Sequence, residues 1–139
     1  MSIDRNISSL HPKMQGPVRS LADDLVHAYQ SGRTKTLFKF FEGFRSPSRQ
    51  EALFQAKTTK ARAWQSAHNF GLAADFVPYG PNGWTWITDD WDFLLNRAKL
   101  VGLVNPIFDW DKPHLEHPGW KWVQTVMRPD TNWLEKIKS

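Results

Sequence analysis

Two short stretches of this 139-residue chain hold side chains that can do chemistry. In SAHNFGLAAD, residues 66–75, His68 is followed within an apolar run by Asp75. A carboxylate beside Ala74 and Phe76 is costly unless it is paired, hydrogen-bonded or bound to a metal. In DWDKPHLE, residues 109–116, Asp111 stands three positions before His114. An unbroken strand would point those two side chains to opposite faces, but Pro113 argues against a continuous ladder, and a bend there brings both into one pocket. Two imidazole nitrogens, one carboxylate oxygen and a water make the open tetrahedral site of a hydrolytic zinc enzyme, and a second carboxylate remains as a base for that water. The same residue types also form surface ion pairs and structural hydrogen bonds. Unlike HExxH on a helix, HxxxxxxD fixes no face, so spacing leaves both readings open. Of the five histidines, His11 lies in the N-terminal segment and His27 beside a helical stripe, and both read as ordinary; His117 completes the set.

The elements that must position these residues alternate in type. Val18, Leu21, Leu25, Val26 and Tyr29 make a helical stripe that the pattern starts at Pro17 and stops at Gly32. Thr34 to Phe44 alternates and is rich in aromatics, which predicts a strand with Gly43 near its end. Ser46 is placed to cap a short helix with Pro47 at its first position and Arg49 and Gln50 in its first turns. LAADFV reads as a buried strand terminated by Pro78 and Gly80. Trp91, Leu94, Leu95, Ala98 and Val101 form one face of a second amphipathic helix, with Gly102 just past its end. NPIFDWDKPHLEHPGW reads as extended and broken by prolines, PGWKWVQTV as a short helix, and TNWLEKIKS as a last turn or two. Strands and helices in no regular βαβ order argue for an α+β fold with a small, mainly antiparallel sheet and flanking helices.

Composition narrows the class. The length suits one domain over residues 1–139, with residues 1–32 as a helical segment packed on it. The chain is 40% hydrophobic and 23% charged, far from the signature of disorder. Without cysteine there is no disulfide framework, thiolate metal site or cysteine nucleophile, so any metal must take His and carboxylate ligands. The net charge of +4 favours a polyanion, which nucleic acid, an anionic membrane face or an anionic cell wall would each supply. Lys and Arg are scattered, which weakens the nucleic-acid reading. The eight tryptophans are read first as core and rim, and otherwise as a groove that stacks on an extended ligand.

FEGFRSPSRQEALF, SAHNFGLAAD and DWDKPHLE, in this order, resemble the zinc D-alanyl-D-alanine carboxypeptidase and L-alanyl-D-glutamate endopeptidase family, which includes vancomycin-resistance D,D-peptidases and bacteriophage endolysins. The likeness covers roughly residues 37 to 117, and the pattern SxHxxGxAxD is met at Ser66, His68, Gly71, Ala73 and Asp75. It implies a hedgehog-like α+β fold and a hydrolase holding one zinc ion on His68, Asp75 and His114. It also implies Asp111 as the catalytic base, Arg45 as the residue that holds substrate and steadies the oxyanion, and Ser66 as a substrate contact. Some family members carry Glu where Asp111 stands. Glu116 is the main rival base, but is better placed to orient a ligand imidazole, and Asp109 is a weaker third candidate.

The implied substrate is the stem peptide of bacterial peptidoglycan, cut between L-alanine and D-glutamate; D-alanyl-D-alanine carboxypeptidase is the alternative within the enzyme class. A zinc-stabilised wall-binding or phage structural module is the alternative outside it, since fold does not establish chemistry. Nucleic acid is not an expected partner. With no signal peptide or spanning segment, the expectation is an endolysin-like monomer without membrane insertion, kept in the host cytoplasm until a partner holin releases it to the wall.

Overall fold

The computed structural model describes residues 3–127, so the turns expected in TNWLEKIKS lie outside the described residues. Helix α1 runs Pro12–Gln30, five residues earlier than Pro17 suggests. Its start is built at His11, whose Nδ1 accepts from the Lys13 amide, with Pro12 at the first helical position. Pro17 is accommodated inside the helix, where it forgoes one amide bond to the exposed Lys13 turn. The buried face is Met14, Val18, Leu21, Leu25 and Ala28, whereas Val26 and Tyr29 point outward.

Strand β1 is Phe38–Glu42, shorter than the expected span from Thr34 to Phe44. Thr34 and Thr36 turn their hydroxyls to Asp90 and Thr88 instead of continuing a ladder. Helix α2, Pro47–Gln55, has Ser46 as its cap as expected, accepting from the Arg49 amide. Strand β2, Ala73–Gly80, continues through Pro78 because Tyr79 N donates to Leu37 O and the Pro78 carbonyl accepts from Thr85 N, so pairing resumes on either side of the ring. Strand β3 is Gly83–Trp84, helix α3 is Trp91–Leu100, strand β4 is His114–Glu116 and helix α4 is Trp120–Met127.

β2 is the hub of a four-stranded antiparallel sheet and pairs with each of the other three strands. A bulge between Phe40 and Glu42 breaks the β1–β2 register: Phe40 faces Phe76, then Glu42 faces Asp75. One cluster joins Leu10, Met14, Val18, Leu21 and Leu25 to Phe38, Phe76, Leu94 and Leu115. The N-terminal helix is therefore part of the same core as the sheet. Gly71 (φ 68°) brings the first segment against the sheet, its carbonyl accepting from His11 N at 3.0 Å.

Candidate metal centre and cleft

Asp75 sits on β2 between two neighbours in register, Glu42 of β1 on one side and His114 of β4 on the other. Residues directly opposite in an antiparallel pair project to the same face, so all three gather on one side of the sheet. His68 arrives from the 3-10 turn Ala67–Phe70, whose geometry is set by Ser66: its Oγ accepts from the His68 amide while Asn69 reaches back to the Ser66 amide. Asn69 also donates to Arg45 O, and Arg45 N donates to His68 O at 3.0 Å.

These bonds decide which ring nitrogens face inward. The Gly43 carbonyl, 2.7 Å away, can only accept, so His68 Nδ1 carries a proton and it is Nε2 that faces Asp75 Oδ1, at 3.2 Å. Glu116 Oε1 accepts from His114 Nε2 at 2.7 Å, leaving Nδ1 of that ring 3.6 Å from the same Asp75 oxygen. One ligand atom from each of His68, Asp75 and His114 lies within 4.8 Å of the other two. The donor set and its outer hydrogen bonds fit a divalent metal. In the free protein the cluster shares protons. Burial opposes charge on His114, but bonds to Asp75 and Glu116 outweigh it and push its pKa up to about 9. Burial would raise Asp75, yet the His68 charge and the His114 hydrogen bond hold it well below the usual carboxylate range. A metal must displace that shared proton to bind.

The cluster opens on a cleft of about 660 Å³ that Ser66, Arg45 and Asp111 also line, so the six residues singled out from the sequence converge on one place. Asp111 ends a turn-rich loop, not the extended run expected, because Asn105 bridges it: Asn105 Oδ1 accepts from Ile107 N and Nδ2 donates to the Asp111 carbonyl at 2.8 Å. Burial, followed by the Asp75 charge, raises the Asp111 pKa. Asp109 is exposed, and Glu116 is occupied by His114 and by the Trp120 indole N–H. His11 caps α1 and His27 is exposed on it.

Four residues here escaped the sequence reading: Glu42, Gln50, Asn69 and Asn105. Glu42 accepts from Arg45 Nε and Nη2 (3.2 and 2.8 Å) and from Arg49 Nε (2.7 Å). Gln50 holds Arg45 Nη1 at 3.0 Å and donates to Ala61 O. Arg45 is thereby aimed at the centre, its Nη2 3.8 Å from Asp75 Oδ2. Asn69, three residues after a capping serine, and Asn105, before a proline, carried local signals. Glu42 and Gln50 carried none.

The fold is that of the peptidoglycan peptidases of the D,D-peptidase and L-Ala-D-Glu endopeptidase type, and the resemblance read from the sequence to the D-alanyl-D-alanine carboxypeptidase and L-alanyl-D-glutamate endopeptidase family is borne out. The chain is similar to the Serratia marcescens L-Ala D-Glu endopeptidase ChiX (TM-score 0.61, 21% identity, covering 84% of this chain and 86% of that one). It is also similar to the vancomycin-resistance D,D-pentapeptidase VanY in complex with Zn(II) (TM-score 0.50, 16% identity, 81% and 76% covered). In sequence it is 34% identical over 100 residues to the peptidoglycan L-alanyl-D-glutamate endopeptidase CwlK of Bacillus subtilis. That match takes in 54% of this chain and 57% of CwlK, so the chain spans little more than half the length of that relative. No protein-family model matches the chain.

Proposed function

We propose that this protein is a zinc-dependent peptidoglycan peptidase that hydrolyses a stem-peptide bond, the one between L-alanine and D-glutamate. The observation that carries the reading is the convergence of His68 Nε2, Asp75 Oδ1 and His114 Nδ1 at a cleft that Asp111 and Arg45 share. The names of CwlK and ChiX support the bond, and the zinc-bound VanY supports the ion.

His68, Asp75 and His114 would hold one zinc ion, which supplies Lewis-acid activation of water when bound. Gly43 O and Glu116 keep the two imidazoles in the tautomers that present bare nitrogens to it. Asp111 takes the proton of the attacking water and returns it to the leaving amine; the upward push on its pKa by burial suits a group that must both accept and release. Arg45, braced by Glu42 and Gln50, presents a fixed cation to the negative charge that develops on the carbonyl oxygen. Ser66 lines the cleft and contacts the substrate, its hydroxyl being oriented by the His68 amide.

In this reading the chain acts on the bacterial wall as an endolysin-like lytic domain, released to it by a holin and working as a monomer. Among the described residues no helix is long and apolar enough to cross a membrane. The test is digestion of purified peptidoglycan by zinc-loaded protein with and without chelator, followed by mass spectrometry of the products. New N-terminal D-glutamate is the expected result. Free D-alanine would reassign the bond to a D,D-carboxypeptidase, and no released product would overturn the enzymatic reading.

A further inference from the structure

The cleft also presents aromatic side chains that the hydrolytic chemistry does not use. Trp86 and Trp110 are 52% and 56% exposed, yet both line the cleft that holds the His–Asp–His cluster. They come from separate segments. Trp86 follows β3 and meets Phe41 edge-on, ring centroids 5.3 Å apart. Trp110 belongs to the loop before β4, with Lys60 Nζ 5.2 Å from its ring centroid. Each ring is thus braced by a neighbour while half of its surface stays open to solvent. Large apolar area left bare beside a reactive cleft marks a place where something binds. An indole face carries partial negative charge, which attracts the C–H face of a pyranose while the sugar hydroxyls stay in water.

We propose that Trp86 and Trp110 form a subsite for the amino-sugar that carries the stem peptide. The inference rests on the reading of the cleft as a peptidoglycan peptidase and extends it to the glycan. The stem begins with L-alanine on the lactyl group of the sugar. The L-alanyl-D-glutamate bond therefore stands one residue from the ring, at about 3.5 Å of extended chain per residue. A terminal D-alanyl-D-alanine bond stands four residues out, roughly 14 Å away. Cutting the first bond brings the sugar to the mouth of the same cleft, where the two indoles are.

The experiment compares two substrates with the same scissile bond, an N-acetylmuramoyl tripeptide and the free tripeptide, hydrolysed by zinc-loaded protein. The sugar-bearing substrate is expected to have a kcat/KM about tenfold higher. Trp86→Ala and Trp110→Ala should each shrink that ratio, and Trp86→Phe should keep part of it. Both indoles are exposed, so these variants leave the core intact. A wild-type ratio near one, or a ratio that both alanine variants preserve, overturns the subsite. A second readout separates this from failure of the enzymatic reading: indole fluorescence of metal-free protein titrated with N-acetylmuramoyl-L-alanyl-D-glutamate or with L-alanyl-D-glutamate. A sugar-dependent change that the Trp variants lose supports the subsite even if no bond is cut. No sugar-dependent change overturns it even if the peptide is hydrolysed.

Discussion

Glu116 Oε1 accepts a 2.7 Å hydrogen bond from Nε2 of His114, two residues before it on β4, while its other oxygen accepts from the Trp120 indole. One carboxylate thus fixes both the tautomer of a candidate ligand and the first residue of α4. Glu116→Ala frees the ring to rotate, and metal affinity should fall about 10–100-fold. Competition with a chromophoric chelator measures this, and unaltered affinity would show that Glu116 does not orient His114 towards a metal.

Asp111 and His68 should separate turnover from metal content. Asp111→Ala is expected to keep the ion and lose about 10²–10⁴-fold in kcat, the usual share of a positioned base. His68→Ala should lose both. Elemental analysis beside a digestion assay decides, and full activity in Asp111→Ala would refute the assignment.

The chelated protein offers a test of opposite sign. Burial and the Asp75 charge raise the folded pKa of Asp111 above its unfolded value of about 3.9. Its contribution to stability is therefore present below that value and is lost as pH rises through the folded pKa. At pH 7 the ionised group weakens the fold, so Asp111→Asn should melt above wild type when both are stripped of metal. Calorimetry showing an equal or lower Tm would contradict this.

Glu42 runs the other way. Burial raises its pKa, but hydrogen bonds from Arg45 and Arg49 outweigh that and hold it below the usual range. The stability it contributes is present above the unfolded value of about 4.3 and fades as pH falls through the lower folded one. Glu42→Gln leaves two mostly buried guanidinium groups without their counter-charge, a loss of about 3 kcal/mol at neutral pH. The Tm gap to wild type should close on acidification, and a gap independent of pH would remove Glu42 from this role.

Gly71 tests the link between the N-terminal helix and the centre. A Cβ there would stand 2.6 Å from His11 N, at a φ of 68° that side chains resist. Gly71→Ala should destabilise by at least about 2 kcal/mol, seen as a lowered midpoint in urea. A neutral result would mean the segment before α1 yields freely.

The local order of apolar residues foretold α3 and the presence of α1 and β2, and the Ser46 cap followed by Pro47 foretold α2, since these signals lie within each segment. The candidate donors drew notice because a carboxylate inside an apolar run demands a partner, although spacing alone left both a metal and an ion pair open. What could not be read depended on distant hydrogen bonds. Pro17 reads as a helix start but lies inside α1, where the turn it leaves unpaired is exposed; Pro78 reads as a stop until Leu37 and Thr85 resume the pairing around it; and the loop before β4 curls because a buried Asn105 ties its ends. Glu42 looked like one more polar residue in an aromatic strand, since nothing in FKFFE reveals that Asp75 lies across from it.

The extra residue in β1 has a consequence for insertions and deletions. Phe38 and Phe40 point inward, and strict alternation would send Glu42 after them, leaving Phe41 across from Asp75. A one-residue insertion between Phe41 and Glu42 that kept the present bulge would carry Glu42 across from Ala74 and drive an anion into oil, stripping both arginines of their shared anchor, whereas deleting Phe41 would remove the bulge and leave Glu42 across from Asp75. Length here is as much an active-site parameter as any side chain.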